Sequence, residues 1–241
     1  MGRLEKFINK TENKRCKGEK IRSLLVVGDS KVRYVKETAN SDIEKSILWY
    51  TVGGLTTLQA TKWIYKNIDK IIKEEEYVDI CLWTGTCDIT DKVGRYIYPS
   101  TNKSAIEATL NRYRELRHLK LKYGVRVSFI IFEVPYFSVS LWNKSRGHRN
   151  PTQFYRADRV VEKSIRQLNT GIIEINELFG TSSPKFSIDL IQTRKTKSKR
   201  CKKSSFHNYK LLKNDGVHPS NVLALYWMRK IQNLAIRESY I

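Results

Sequence analysis

The sequence predicts an α/β fold, a three-layer α/β/α sandwich around a central, mostly parallel sheet. Three observations carry this. Short runs that are apolar throughout alternate with longer stretches of helical periodicity. Strands that lack polar alternation are covered on both faces, as in parallel sheets flanked by helices. The chain's reactive residue types also fall just beyond those apolar runs, where open α/β sheets gather their functional groups.

Taken in order, residues 1–20 carry Arg3, Lys6, Lys10, Lys14, Arg15, Lys17 and Lys20 and little that anchors a core. They read as a mobile basic arm or a loosely packed first helix, leaving residues 21–241 as the folded domain. Residues 23–27 (SLLVV) are a buried strand ending at Gly28-Asp29-Ser30, and a helix starts after it, over 32–38. Residues 58–72 place Leu58, Thr61, Ile64, Tyr65, Ile68, Ile71 and Ile72 at helical spacing. A second strand spans 77–83 (YVDICLW) and closes at Thr84-Gly85-Thr86. A helix follows over 104–123, then a third strand over 125–134 (VRVSFIIFEV), stopped by Pro135. Residues 137–152, with Trp142, Arg146, His148, Arg149 and Pro151, read as a loop over the sheet edge. Residues 155–168 are helical, 171–175 form a fourth strand, and 220–237 form a closing amphipathic helix. Residues 193–203 (TRKTKSKRCKK) hold seven basic residues and no acid, and read as a solvated, flexible loop.

Composition narrows the function classes. The 241 residues are enough for one well-buried core. No apolar run approaches the roughly 18 residues that span a membrane, and the chain is polar up to Arg22. A soluble, intracellular protein without a signal peptide is expected. The cysteines Cys16, Cys81, Cys87 and Cys201 form no CxxC pair and no cluster with histidine. They read as reduced thiols, with neither a disulfide framework nor a zinc site. The net charge of +21 favours polyanionic partners such as nucleic acid, anionic lipid or acidic glycan.

The chemistry concentrates in two motifs. A serine hydroxyl is a poor nucleophile at neutral pH and needs a base within hydrogen-bond reach, with an acid to orient that base. Ser30 follows the first strand, and Asp215 and His218 stand together in Asn214-Asp215-Gly216-Val217-His218-Pro219, just before the last helix. That spacing lets one loop present an acid and a base to one serine, with Gly216 free to take an unusual backbone angle. The same residues have plainer uses: Ser30 as a helix cap, His218 as a packed histidine, Asp29 as a turn former.

The motif VVGDS (26–30) resembles the first block of the SGNH (GDSL-type) hydrolases, and DGVHPS (215–220) resembles their last block, Asp-x-x-His. Val52-Gly53-Gly54-Leu55-Thr56-Thr57 is similar to the second block, and Thr84-Gly85-Thr86-Cys87-Asp88 to the third, Gly-x-Asn-Asp. The resemblance spans about residues 22–236. It implies an SGNH hydrolase-like, flavodoxin-like sandwich with Ser30, His218 and Asp215 as a triad. It also implies an oxyanion hole from the N–H groups of Ser30 and Gly54, with Cys87 where the family has its asparagine. A thiol is a weak donor there, and the neighbouring hydroxyls of Thr84 and Thr86 are the available substitutes. Lys31 is a second departure, at a position usually apolar in the family, and reads as local surface. Asp88 is expected to be a supporting carboxylate. Trp142 is the aromatic candidate for lining a substrate cleft, while Trp49, Trp63, Trp83 and Trp227 read as core. His118, His148 and His207 read as surface residues.

The expected function is a serine esterase or deacetylase that works through an acyl-enzyme on Ser30, without metal or organic cofactor. Acyl transfer to an alcohol would use the same residues. The alternative, of another class, is a catalytically weak scaffold of the kind found in mobile-element or viral proteins. It would bind nucleic acid or another polyanion through Arg194, Lys195, Lys197, Lys199, Arg200, Lys202 and Lys203.

Overall fold

The computed structural model describes residues 3–11, 18–195 and 203–240. Helix α1 (Arg3–Thr11) is followed by strand β1 (Ser23–Gly28), α2 (Ser30–Lys36), the single turn α3 (Asp42–Lys45), β2 (Leu48–Thr51) and α4 (Thr57–Glu75). Next come β3 (Val78–Trp83), a hairpin of β4 (Thr90–Val93) and β5 (Tyr96–Pro99), α5 (Ala105–Glu115), α6 (Arg117–Tyr123) and β6 (Val127–Ile131). The chain continues through α7 (Val139–Ser145), α8 (Tyr155–Phe179), a second hairpin of β7 (Ile191–Lys195) and β8 (Lys203–His207), and α9 (Asn221–Ser239).

The central sheet is parallel throughout, in the order β2-β1-β3-β6. Strands β1 and β3 are buried along their whole length, as their largely apolar sequences require, and the one charge within them, Asp79, pairs with Arg22 at 2.9 Å. The helices cover the sheet with apolar stripes at helical spacing: Ala60, Ile64, Ile68 and Ile72 on α4, and Leu223, Trp227, Ile231 and Leu234 on α9 are all buried. The three-layer sandwich is therefore present. Among the described residues no helix is long and apolar enough to cross a membrane.

The strand order fixes where a ligand belongs. From β1 the chain moves outward to β2, then crosses back to β3 on the other side of β1. The crevice beyond the carboxyl end of β1 lies at this reversal, and such a switch point is where open α/β sheets bind ligands. Residues 29–30 follow β1, 52–56 follow β2 and 84–88 follow β3, so all three loops meet there.

Two segments differ from the sequence expectation. Residues 171–175 are not a strand but the last third of the 25-residue helix α8. Val161, Ile165, Leu168, Ile172, Ile175 and Phe179 continue one buried stripe, so the 3.6 period overrides the β-branched composition of GIIEI. Gly171 lets α5 approach closely there, since a Cβ would stand 2.5 Å from Leu110 Cδ1 and force that side chain to shift. Residues 137–152 are not simply a loop, because α7 forms within them, capped by the Ser138 hydroxyl accepting from the Leu141 N–H at 3.1 Å.

Among the described residues no further strand pairs with β6. Helix α8 serves the edge instead, through two buried asparagines. Asn176 accepts from the Ile131 N–H and donates to the Ile131 carbonyl, both at 2.8 Å. Asn169 does the same to Val134, at 2.8 and 2.9 Å. Seven residues of helix rise about 10.5 Å, and three residues of extended chain span about 10 Å, so the two asparagines meet the two backbone positions in register.

Of the two readings of the N-terminus, residues 3–11 adopt the helical one. Ile8 is buried and Phe7 packs on Tyr226 of α9, with ring centroids 4.8 Å apart. At the other end of β1, Gly28 has no room for a side chain. A Cβ would lie 2.4 Å from Val32 Cγ2 and 2.7 Å from the Trp83 carbonyl oxygen. The backbone oxygen cannot rotate away, so Gly28→Ala is expected to destabilise the fold by about 1–3 kcal/mol. A urea midpoint unchanged from wild type would contradict this.

Candidate active site

Ser30 is the first residue of α2, set at the end of β1. Asp29, rather than Ser30, caps that helix, accepting from the Lys31 N–H at 3.0 Å. The serine side chain is thus released from the capping task. Its N–H belongs to the first turn of the helix, where amides have no intrahelical acceptor. One helical turn on, Tyr34 lays its ring beside His218, with centroids 4.8 Å apart.

Residues 212–220 form a pinned turn. The Lys213 N–H donates to the His218 carbonyl at 2.7 Å, and the Gly216 N–H donates to the Lys213 carbonyl at 2.8 Å. Gly216 takes φ +68°, the left-handed angle its sequence position anticipates, and a Cβ there would strike Leu141. The turn brings Asp215 and His218 together. Asp215 Oδ2 lies 2.7 Å from His218 Nδ1, and its Oδ1 accepts from the backbone N–H groups of Val217 and His218, each at 2.9 Å. Burial would raise the Asp215 pKa, but these hydrogen bonds from His218 and Val217 hold it down to about 2. An ionised carboxylate facing Nδ1 fixes the proton on that nitrogen. His218 Nε2 is then the acceptor, and Ser30 Oγ stands 2.8 Å from it. The ring of His218 is buried, 8% exposed. The three side chains predicted from two distant motifs are therefore in one line of hydrogen bonds.

The remaining sequence candidates divide. Gly54 (φ +75°) and Cys87 face the same cleft as Ser30 and His218. Burial first, and the Asp29 carboxylate second, push the Cys87 thiol up to about 11, so it is a neutral thiol at neutral pH. Asp88 supports the loops as expected. Its carboxylate accepts from the Thr57 N–H at 3.0 Å and from the Thr57 hydroxyl at 3.0 Å, tying the segment after β3 to the start of α4. Burial raises its pKa against these hydrogen bonds. Thr84, proposed from sequence as a substitute donor, is turned away from the cleft. It is fully buried and paired with Thr57 Oγ1 and with the Tyr113 hydroxyl, both at 2.9 Å.

Lys31 corrects the sequence reading most. It is not surface but 4% exposed. Its ammonium pairs with the Asp29 carboxylate and donates to Thr86 Oγ1 at 3.2 Å. The polar arrangement Asp29–Lys31–Thr86 has no local sequence signature, since Thr86 lies 55 residues from Lys31.

The cleft holds about 610 Å³, within the usual range for small-molecule sites. One wall is built by α7 and the β4–β5 hairpin, which sequence reading missed. Gly94 at φ +60° between two β-prone runs was the available signal. Asn143 of α7 bonds both the N–H and the carbonyl of Ile97 at 2.9 Å. Trp142 Nε1 donates to the Arg95 carbonyl at 3.1 Å, which turns the indole into the cleft 6.0 Å from the His218 ring. Cations stack on both aromatics beside the histidine, Arg146 over Trp142 at 4.2 Å and Lys213 over Tyr34 at 3.7 Å.

Other candidates lie elsewhere. In the basic run, Arg194, Lys195 and Lys203 stand on the paired strands β7 and β8, while Lys197, Lys199, Arg200 and Lys202 lie outside the described residues. His207 is not a free surface residue. Its ring is half-buried against Tyr136, 4.1 Å away, and burial lowers its pKa. Among the described residues no group of three or more His, Cys, Asp or Glu side chains is arranged to hold a metal ion.

No protein-family model and no curated protein matches the chain. Solved structures do share its fold. A GDSL-like lipase of Bacteroides thetaiotaomicron superposes with a TM-score of 0.60 at 16% identity, covering 98% of each chain. A lipase/acylhydrolase of Enterococcus faecalis gives 0.51 at 17% identity, over 91% of this chain and 97% of that one. An acetyl xylan esterase gives 0.52 at 13% identity, over 88% and 98%. The SGNH hydrolase-like fold implied by the sequence motifs is thus the fold observed.

Proposed function

We propose that this SGNH-like domain, residues 21–241, is a serine esterase acting through an acyl-enzyme on Ser30. The observation that carries the reading is the unbroken line Ser30 Oγ–His218 Nε2–His218 Nδ1–Asp215 Oδ2, with spacings of 2.8 and 2.7 Å, inside a cleft at the sheet's switch point. In this mechanism Ser30 Oγ bonds to the ester carbonyl carbon and passes its proton to His218 Nε2. The carbonyl π electrons move to the carbonyl oxygen, which becomes an oxyanion facing the N–H groups of Ser30 and Gly54. Collapse breaks the bond to the alcohol oxygen, and the departing alcohol takes the proton from His218. Water then repeats the sequence on the acyl-enzyme, releasing the acid and restoring Ser30. Asp215, held ionised far below neutral pH, orients His218 and stabilises its cationic form.

The names of the structural neighbours, lipase, acylhydrolase and acetyl xylan esterase, agree with an ester as the substrate class. The cationic rim of Arg146 and Lys213 favours an ester whose alcohol portion or carrier is anionic.

The test pairs turnover with covalent capture. Purified protein is incubated with p-nitrophenyl acetate and longer p-nitrophenyl esters at neutral pH, and separately with a fluorophosphonate probe. Release of p-nitrophenol together with a phosphonyl mass addition on the Ser30 peptide is the expected result. Background release from every ester, with no labelled serine, would refute the reading.

A further inference from the structure

We propose that Thr86, oriented by the buried Lys31, donates a hydrogen bond to the oxyanion and replaces the donor that Cys87 cannot supply. This rests on the esterase reading above. Attack by Ser30 places a full negative charge on the former carbonyl oxygen, and each well-aimed donor at that oxygen is worth about 10²–10³ in turnover. Ser30 and Gly54, the two backbone donors of this reading, line the cleft. The third position is a neutral thiol, and a thiol donates weakly.

Thr86 lines the same cleft, beside Cys87 and Ser30. A hydroxyl has one proton to give and two lone pairs to receive. An ammonium can only donate, so the 3.2 Å contact from Lys31 Nζ fixes Thr86 Oγ1 as the acceptor. The hydroxyl proton is then left to donate, and among the described residues no protein acceptor takes it. Lys31 is itself immobilised. It is 4% exposed, its ammonium meets one Asp29 carboxylate oxygen, and its own N–H meets the other at 3.0 Å. Asp29 immediately precedes Ser30, so the relay Asp29–Lys31–Thr86 ties the donor to the nucleophile's own turn. A hydroxyl that receives a hydrogen bond from a cation is also a stronger donor, because the chain polarises it. Thr84, the other nearby hydroxyl, is committed to Thr57 and Tyr113.

Thr86 is therefore a catalytic donor and Lys31 a positioning residue. Thr86→Val keeps the shape and removes the hydroxyl. Its kcat for p-nitrophenyl acetate is expected to fall by about 10²–10³ with KM changed by less than about threefold, since the lost interaction exists only in the transition state. Thr86→Ser is expected to stay within about tenfold of wild type. Cys87→Asn added to Thr86→Val is expected to recover most of the loss by supplying an amide donor next door.

The relay is tested by replacing its charge pair as a unit, Asp29→Asn with Lys31→Met, so that no lone charge is buried. This variant is expected to lower kcat without raising KM. Thr86→Val in the same background is expected to add little further loss, because coupled residues are not additive. Urea midpoints confirm that each variant is folded. A Thr86→Val enzyme with kcat within about threefold of wild type would overturn the proposal while leaving the esterase reading intact. A wild type that neither turns over esters nor takes up fluorophosphonate would overturn both.

Discussion

Asp215→Asn is expected to lower kcat on simple esters by about 10⁴-fold while leaving the fold in place. The reason lies in the tautomer of His218. The wild-type carboxylate, held at a pKa of about 2, can only accept, so Nδ1 carries the proton and Nε2 faces Ser30 as a base. An asparagine can keep its oxygen on the Val217 and His218 N–H groups, which preserves the turn. Its amide nitrogen then sits against Nδ1 and donates to it. The ring proton moves to Nε2, and Ser30 loses its base. Steady-state kinetics with p-nitrophenyl acetate measure the loss, and a urea melt checks the fold. A fall of less than about tenfold would mean that Asp215 does not orient the histidine during turnover.

Glu44→Ala is expected to be the most damaging change far from the cleft, lowering stability by about 3–5 kcal/mol. Glu44 is fully buried and pairs with Arg229 of α9, itself 1% exposed. Arg229 Nε finds no hydrogen-bond partner among the described residues, so this guanidinium is already incompletely satisfied. Removing the carboxylate leaves a buried cation with only weak contacts to Asn40, at 3.3 Å, and Gln232, at 3.5 Å. It also strips the N–H groups of Asn40 and Ser41 of their acceptor, opening the capping box of α3. Replacing both partners, with Arg229→Met added, is expected to cost less than Glu44→Ala alone, because no charge is then stranded. Urea denaturation of the single and double variants decides this. A loss below about 1 kcal/mol for Glu44→Ala would show that the cation is solvated in a way the buried geometry does not allow.

What was legible in the sequence follows from how local each signal is. SLLVV and YVDICLW announce β1 and β3 because strands covered on both faces lack polar alternation, the single charge Asp79 being paired with Arg22. The triad was legible because Gly-Asp-Ser and Asp-x-x-His each carry their geometry within a few residues. Leu48–Thr51 escaped notice because it is only half-buried at the sheet margin and has no long apolar run. The Gly171–Ile175 segment looks like a strand because Ile172 and Ile175, from the buried stripe of a long helix, stand beside the exposed Ile173 when only five residues are viewed together. Lys31 was misread for a different reason. Its partner Thr86 comes from another strand's loop, and no pattern around residue 31 reveals that the ammonium points inward.

The asparagine pairing along β6 has a consequence for how this molecule meets others of its kind. A bare outer strand offers a row of unpaired amides and carbonyls on which a foreign strand can template itself, the first step of sheet-mediated aggregation. Here Asn176 holds both backbone groups of Ile131, the last residue of β6, and Asn169 those of Val134 just beyond it, with side-chain amides that imitate a neighbouring backbone. An incoming strand would have to displace both pairs and lift α8 away from its buried stripe. The carboxyl end of the β6 edge is thus closed to recruitment by a helix, at the cost of two polar side chains in the interior.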